Sequence, residues 1–398
     1  MYDFDTVIDR RDSCSLKWDS AERRGMPADV LPMWVADMDF AAPPVVTRAL
    51  ARVAQFGVFG YSEADEHFCE SVHSWFLRRF SWDVSERWQV LVPGVVPALY
   101  LAVQAYTEPG DAVLIQSPVY YPFREAIHDT GRVVASNPLR GASVAGEPES
   151  EGGNPYTIDF DDFEAKAADP RVKLFILCNP HNPVGRVWTA DELRRMGEIC
   201  LKHKVIVVAD EIHADFVFPG YQHTVFAQLS DELADNCVIA TAPSKTFNLA
   251  GLQLATVFIP NEKLRRRYLR AFRASGLSQP GLMGIVACRA AYEGGEDWLE
   301  ELLVYLQGNF DYLDERLRAE IPAIKLVAPE GSYLAWLDCR EMSLGHRELD
   351  DFMVKEARLW LDGGTMFGPE GAGFQRMNLA CPRATLSEAL DRLTTATR

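Results

Sequence analysis

Six short, nearly uninterrupted apolar runs constrain this chain more than any other feature. They are WQVLV (88–92), AVLIQ (112–116), VKLFILC (172–178), VIVVA (205–209), CVIAT (237–241) and ATVFI (255–259). A strand with one wet face alternates apolar and polar residues, whereas runs like these fit strands buried on both faces. Such strands belong to parallel or mixed sheets with helices on each side. Helical periodicity fills the gaps between the runs. The clearest case is Thr189 to His203, where Thr189 and Glu192 form a capping box. The alternation predicts an α/β sandwich, a mainly parallel sheet between helices, over roughly residues 46–275.

From Gly281 onward the pattern changes. A long helical stretch, Asp297 to Glu320, leads into short strands near Ile324–Val327 and Tyr333–Leu337 and a final helix. This predicts a smaller α+β domain. The expected division is an N-terminal segment (1–45) joining the small domain, a large domain (46–280) and a C-terminal small domain (281–398). A length of 398 residues accommodates two such cores. Gly141 to Pro155, rich in Gly, Ser, Glu and Pro, reads as a loop or insert.

Charge narrows the partners. The net charge is -17, which disfavours nucleic acid and anionic membranes and points to small-molecule or protein partners. Trp88 to Thr107 carries no charge, but Pro93, Gly94 and Pro97 break it, so it reads as strand, turn and helix rather than a membrane span. The acidic, polar N-terminus is unlike a signal peptide. The 8 cysteines are scattered without a C-x-x-C pair, which argues against zinc or a disulfide scaffold and for a reducing, cytoplasmic setting.

In an open α/β sheet, ligands bind beyond the carboxyl ends of the strands. After the first run come Gly94 and a helix start, with backbone N–H groups of Val95 and Val96 free for phosphate. The next rims carry Tyr120 and Tyr121, then Asn182 in NPHNPVG, then Asp210 and His213, then Ser244 and Lys245. Each has a plain alternative. Gly94 fits an ordinary strand–helix turn, and Asn182 an Asx-turn. Asp210 fits a cap, His213 and the tyrosines fit core packing, and Lys245 fits a solvated loop. Together they match pyridoxal 5′-phosphate. That cofactor needs a lysine for a Schiff base and a carboxylate to keep its pyridine nitrogen protonated.

These residues lie in segments that resemble the fold-type I pyridoxal-phosphate enzymes, the aminotransferase class I/II superfamily, over nearly the whole length. The segments are LPMWVADMDF (31–40), GVFGYS (57–62), CNPHNPVGRVW (178–188), ADEIHADF (209–216), APSKTFNLAGLQ (242–253) and RMNLACPR (376–383). More narrowly the chain is similar to the MalY/PatB branch of cystathionine or cysteine-S-conjugate β-lyases. The resemblance implies that Lys245 holds the cofactor and takes the substrate Cα proton. It implies Asp210 at the pyridine nitrogen, Asn182 at the phenolic oxygen and Tyr120 stacked on the ring. Val95 and Val96 would hold the phosphate, and Arg376 would bind the substrate carboxylate. It also implies a homodimer in which Tyr61 reaches the neighbour's phosphate and substrate.

The chain departs from many relatives at three positions. Ala242 stands where serine is common, Gln253 where a phosphate-binding arginine is common, and His213 where a tyrosine is common. The phosphate is then expected to rely on the N–H groups, Tyr61 and Ser244. The expected reaction is β-elimination from an amino-acid thioether, giving a thiol, pyruvate and ammonia. An aminotransferase would share every residue named, and members resembling MalY can also bind a regulatory protein. The intact lysine, carboxylate and arginine favour catalysis.

Overall fold

The structure, a computed structural model, describes residues 2–141 and 153–398. Residues 142–152 of the expected loop lie outside the described residues. In chain order the strands are β1 (Leu31–Pro32), β2 (Gln89–Val92), β3 (Ala112–Ile115), β4 (Val133–Ser136), β5 (Val172–Cys178), β6 (Ile206–Asp210), β7 (Cys237–Thr241) and β8 (Ala255–Phe258). They continue as β9 (Lys325–Leu326), β10 (Leu334–Asp338), β11 (Leu359–Trp360), β12 (Asp362–Gly363) and β13 (Phe374–Asn378).

The central sheet has the order β2-β8-β7-β6-β5-β3-β4. Neighbours from β4 through β7 pair in parallel, whereas β8 runs antiparallel to both β7 and β2. The six expected runs all appear in this sheet, and β4 was missed. Its first residue, Val133, is 49% exposed on the edge strand, so it lacks the continuous burial that marks the others. The fourth run is one residue longer at its end, because Asp210 still pairs with Cys178 and Ala240.

Both faces of the sheet are dry, as the apolar runs predict. Phe175, Leu177, Val207 and Ile239 pack into one core, with helices Glu66–Phe80, Ala190–His203 and Leu282–Gly294. Leu174, Ile176, Val208 and Val238 pack into the other, with helices Val95–Tyr106 and Glu262–Ala274. Adjacent strand residues therefore serve opposite cores, the period-2 geometry of a strand. The capping box at Thr189 forms, and its helix runs Ala190–His203.

A second sheet, β12-β13-β10-β9, is antiparallel and lies C-terminal to the first. The N-terminal segment reaches this region, for β1 pairs in parallel with β11. All eight cysteines are free thiols. Among the described residues no helix is long and apolar enough to cross a membrane.

Candidate active site

The rims of β2, β3, β5, β6 and β7 fall on one side of the sheet. β2 joins them because two antiparallel steps through β8 return it to the direction of β7. They border a cleft of about 180 Å³ lined by Val95, Val96, Tyr120, Asn182, Asp210, His213, Ser244 and Lys245. Gln253 and Leu254 enter the same wall, since β8 starts where its neighbours end. Eight side chains or N–H groups expected from the sequence thus share one space. Tyr61 stands apart and is 103% exposed, at the end of a segment with exposed Phe56, Val58 and Phe59.

Asp210 is 3% exposed and accepts one bond at 3.2 Å, from the Ile212 N–H. Burial pushes its pKa up to about 7, with the Ile212 bond and Lys245 pulling the other way. A carboxylate in this position gains its charge readily when a cationic N–H is set against it. Burial brings Lys245 down to about 8; Asp37 opposes this, Arg376 adds to it and Asp210 opposes it. Burial also takes His213 down to about 3, so this imidazole is neutral. Its Nδ1 lies 3.4 Å from Ser332 Oγ, and its ring meets Tyr333 edge-on at 5.8 Å. Tyr120 is half-buried, and its phenol is held in the protonated form by desolvation.

Helix Val95–Tyr106 starts at Gly94, and the Val95 and Val96 N–H groups have no acceptor among the described residues. Gly94 has φ 170, an extended conformation open to any residue, so the turn rather than the glycine creates the cradle. Lys245 is the only cation lining the cleft among the described residues. A phosphate here would rest on the two N–H groups and the helix dipole.

Arg376 reaches the site from β13. It is 2% exposed, and its Nη1 donates to Asn182 Oδ1 at 3.0 Å. Nη2 donates to the Trp34 carbonyl at 3.0 Å and also to Asp362, while Nε has no partner. A buried guanidinium N–H without an acceptor marks a place for an anionic ligand.

The sequence reading missed how the segment 34–40 organises the site. Lys245 Nζ donates to the Ala36 carbonyl at 2.6 Å, and Tyr333 Oη donates to the same oxygen at 2.9 Å. Asn378 Nδ2 donates to the Val35 and Asp37 carbonyls at 2.7 and 2.6 Å. Asn248 donates to the Met38 and Phe40 carbonyls at 3.0 and 2.9 Å and accepts from the Met38 N–H at 3.1 Å. One bent strip of backbone therefore ties the lysine turn to β13. The signals for it were the segment LPMWVADMDF itself, Asn248 in SKTFNLAG and Asn378 in RMNLACPR.

The polar groups facing the cleft match the parts of a single molecule. The paired N–H groups suit a phosphate, the buried Asp210 carboxylate a protonated ring nitrogen, the Nδ2 of Asn182 a phenolate oxygen and the lysine an aldehyde carbon. Pyridoxal 5′-phosphate fits this donor set, and the fold and cleft define a fold-type I pyridoxal-phosphate enzyme. The family model for aminotransferase class I and II matches residues 28–393, and the chain belongs to that family. It is 43% identical to cystathionine beta-lyase PatB of Bacillus subtilis (strain 168), over 99% of each chain. The structure of cystalysin from Treponema denticola, which contains pyridoxal 5′-phosphate, superposes with a TM-score of 0.94 at 37% identity, covering 100% of this chain and 99% of that one. A PLP-bound C-S lyase from Staphylococcus hominis superposes with a TM-score of 0.89 at 32% identity, covering 100% and 98%.

Proposed function

We propose that this protein is a carbon–sulfur β-lyase that cleaves L-cystathionine and related cysteine S-conjugates to a thiol, pyruvate and ammonia. The observation that carries the reading is Lys245, a half-buried amine that lines the cleft with Asp210 and is fixed on the Ala36 carbonyl at 2.6 Å, its pKa brought down to about 8 so that it takes up and returns a proton near neutral pH. Pyridoxal 5′-phosphate supplies a sink for the electron pair left at the substrate Cα. Arg376 binds the substrate carboxylate, and its bond to Asn182 keeps both side chains fixed. Lys245 removes the Cα proton. Asp210, once paired with a ring N–H, stays anionic in a dry site and keeps the sink effective. The sulfur substituent then leaves from Cβ as a thiolate, a far better leaving group than an alkoxide, and takes up a proton as the thiol. The aminoacrylate that remains is released and hydrolysed by water to pyruvate and ammonia.

Further features of the reading concern assembly and setting. The chain acts as a homodimer in which Tyr61 serves the neighbour's site; the exposed run Phe56, Val58, Phe59 and Tyr61 supports this. Residues 1–45 work with the small domain 281–398 against the large domain 46–280, a division supported by the β1–β11 pairing. The eight free thiols support a cytoplasmic setting. The thiol released from L-cystathionine is homocysteine, which places the reaction in methionine biosynthesis.

The test is turnover without a keto acid. With L-cystathionine or an S-alkyl cysteine, many turnovers should each give pyruvate, ammonia and a thiol. L-alanine, lacking a leaving group, should give at most a slow half-reaction. Turnover of thioethers that requires an added keto acid would replace the lyase with an aminotransferase.

A further inference from the structure

Two cations from the N-terminal segment meet two anions on the strip that carries Ala36. Lys17 is 1% exposed, and its Nζ donates to Asp39 at 2.6 Å. Trp18 Nε1 donates to the other oxygen of Asp39 at 2.9 Å. Arg10 spans both carboxylates. Its Nη2 and Nη1 fork onto Asp37 at 2.8 and 3.2 Å, and Nη1 also reaches Asp39 at 2.8 Å and the Met38 carbonyl at 3.0 Å. Asp37 follows Ala36 directly, and Ala36 is the residue whose carbonyl accepts from Lys245.

We propose that Arg10 is a positioning residue for Lys245: it holds Asp37 and the Ala36 carbonyl in register with the amine, and it screens the Asp37 charge from it. The inference rests on Lys245 being the base of the proposed reaction. The charged and titratable groups facing Lys245 come from every element around it. They are Asp37 on the strip, Asp210 at the end of β6, His213 beyond it, Arg376 on β13 and Tyr333 before β10. His213 is neutral and Tyr333 is spent on the Ala36 carbonyl, so the balance lies among Asp37, Asp210 and Arg376. After burial, Asp37 is the largest influence on Lys245. Arg10, bidentate and rigid, is placed to temper it. Without Arg10, Asp37 keeps only Lys17, whose Nζ stands 3.9 Å from it, so more of its charge acts on the amine, the protonated form is favoured, and the base is lost over part of the neutral range.

The experiment uses the cofactor-loaded protein and two readouts. One is the pH dependence of kcat. The other is the pH dependence of the visible absorption band, which needs no thioether turnover, so failure of the lyase reading and failure of this one are told apart. Arg10→Gln should move both curves to higher pH, by about half to one pH unit, the size of one partly screened charge at this range. Arg10→Lys should move them less, Asp37→Asn should move them down, and Arg10→Gln with Asp37→Asn should return towards the wild type. A folded Arg10→Gln protein with unmoved curves overturns the proposal, even if its activity is lower at every pH. If Arg10→Gln does not fold, Asp37→Asn decides: the absence of a downward shift overturns the proposal equally.

Discussion

Arg376 Nη1 donates to Asn182 Oδ1 at 3.0 Å, joining a strand of the small sheet to the rim of the central one. A guanidinium has no acceptor, so the bond decides which end of the amide faces the cleft. The oxygen is taken by Arg376, and Nδ2 remains to donate to an oxygen inside. In the proposed reading, the same contact sets the arginine for a substrate carboxylate and the amide for the ring.

Asn182→Ala should therefore impair two functions at once. Removing an acceptor from a buried cation costs roughly 2–3 kcal/mol, or about two decades in kcat/KM. The visible band of the loaded protein should shift as well. Steady-state kinetics with S-methyl-L-cysteine, together with the absorption spectrum, checks this; a loss in KM alone with an unchanged spectrum would remove Asn182 from the ring.

Asp210→Ala should leave the cofactor attached at Lys245 but weaken catalysis. Loss of one charge-assisted bond in a dry site costs roughly 2–3 kcal/mol, about two decades in kcat. Mass spectrometry after borohydride reduction should still find the label on Lys245. Near wild-type turnover would contradict the role given to Asp210.

Lys17→Met should destabilise the fold by about 3 kcal/mol or more, since it strips one partner from a buried ion pair. Urea unfolding should show a lower midpoint with an unchanged slope. The pH dependence follows the sign of the Asp39 shift. Burial raises the Asp39 pKa, but Lys17, Trp18 and Arg10 outweigh it and the net direction is down. Its stabilisation is present above the ordinary aspartate range and is lost as pH falls through the depressed value. The mutant should lose stability at neutral pH and show less further loss on acidification. Equal sensitivity of both proteins to acid would exclude Asp39 as the cause.

Mixing Tyr61→Phe and Lys245→Ala chains should recover activity. If Tyr61 serves the partner's cleft, a heterodimer collects both lesions in one site and leaves the other intact. With subunit exchange demonstrated, mixed samples no more active than the average of the parents would show that Tyr61 does not cross.

The strands and the rim residues could be read from the sequence because each is local. A doubly buried strand needs a continuous apolar run, and a rim residue follows that run within a few positions, as Lys245 follows CVIAT after Ala242, Pro243 and Ser244. The order and direction of strands were less legible. Val133 begins an edge strand without an apolar run, and nothing in ATVFI distinguishes the antiparallel β8 from its parallel neighbours.

What only the tertiary structure decided was the company these residues keep. Lys245 meets the Ala36 carbonyl across a separation of 209 residues, and Arg376 meets the Trp34 carbonyl across 342. A carbonyl oxygen is common to every residue and leaves no mark on composition or spacing. Arg10 and Tyr333 likewise carry no local signal, since their partners are chosen by how the N-terminal strip packs. The sequence determined which side chains could hold the cofactor. Packing determined the backbone and charges against which Lys245 is set, because burial and charge separation, unlike hydrophobic periodicity, exist only once distant segments touch.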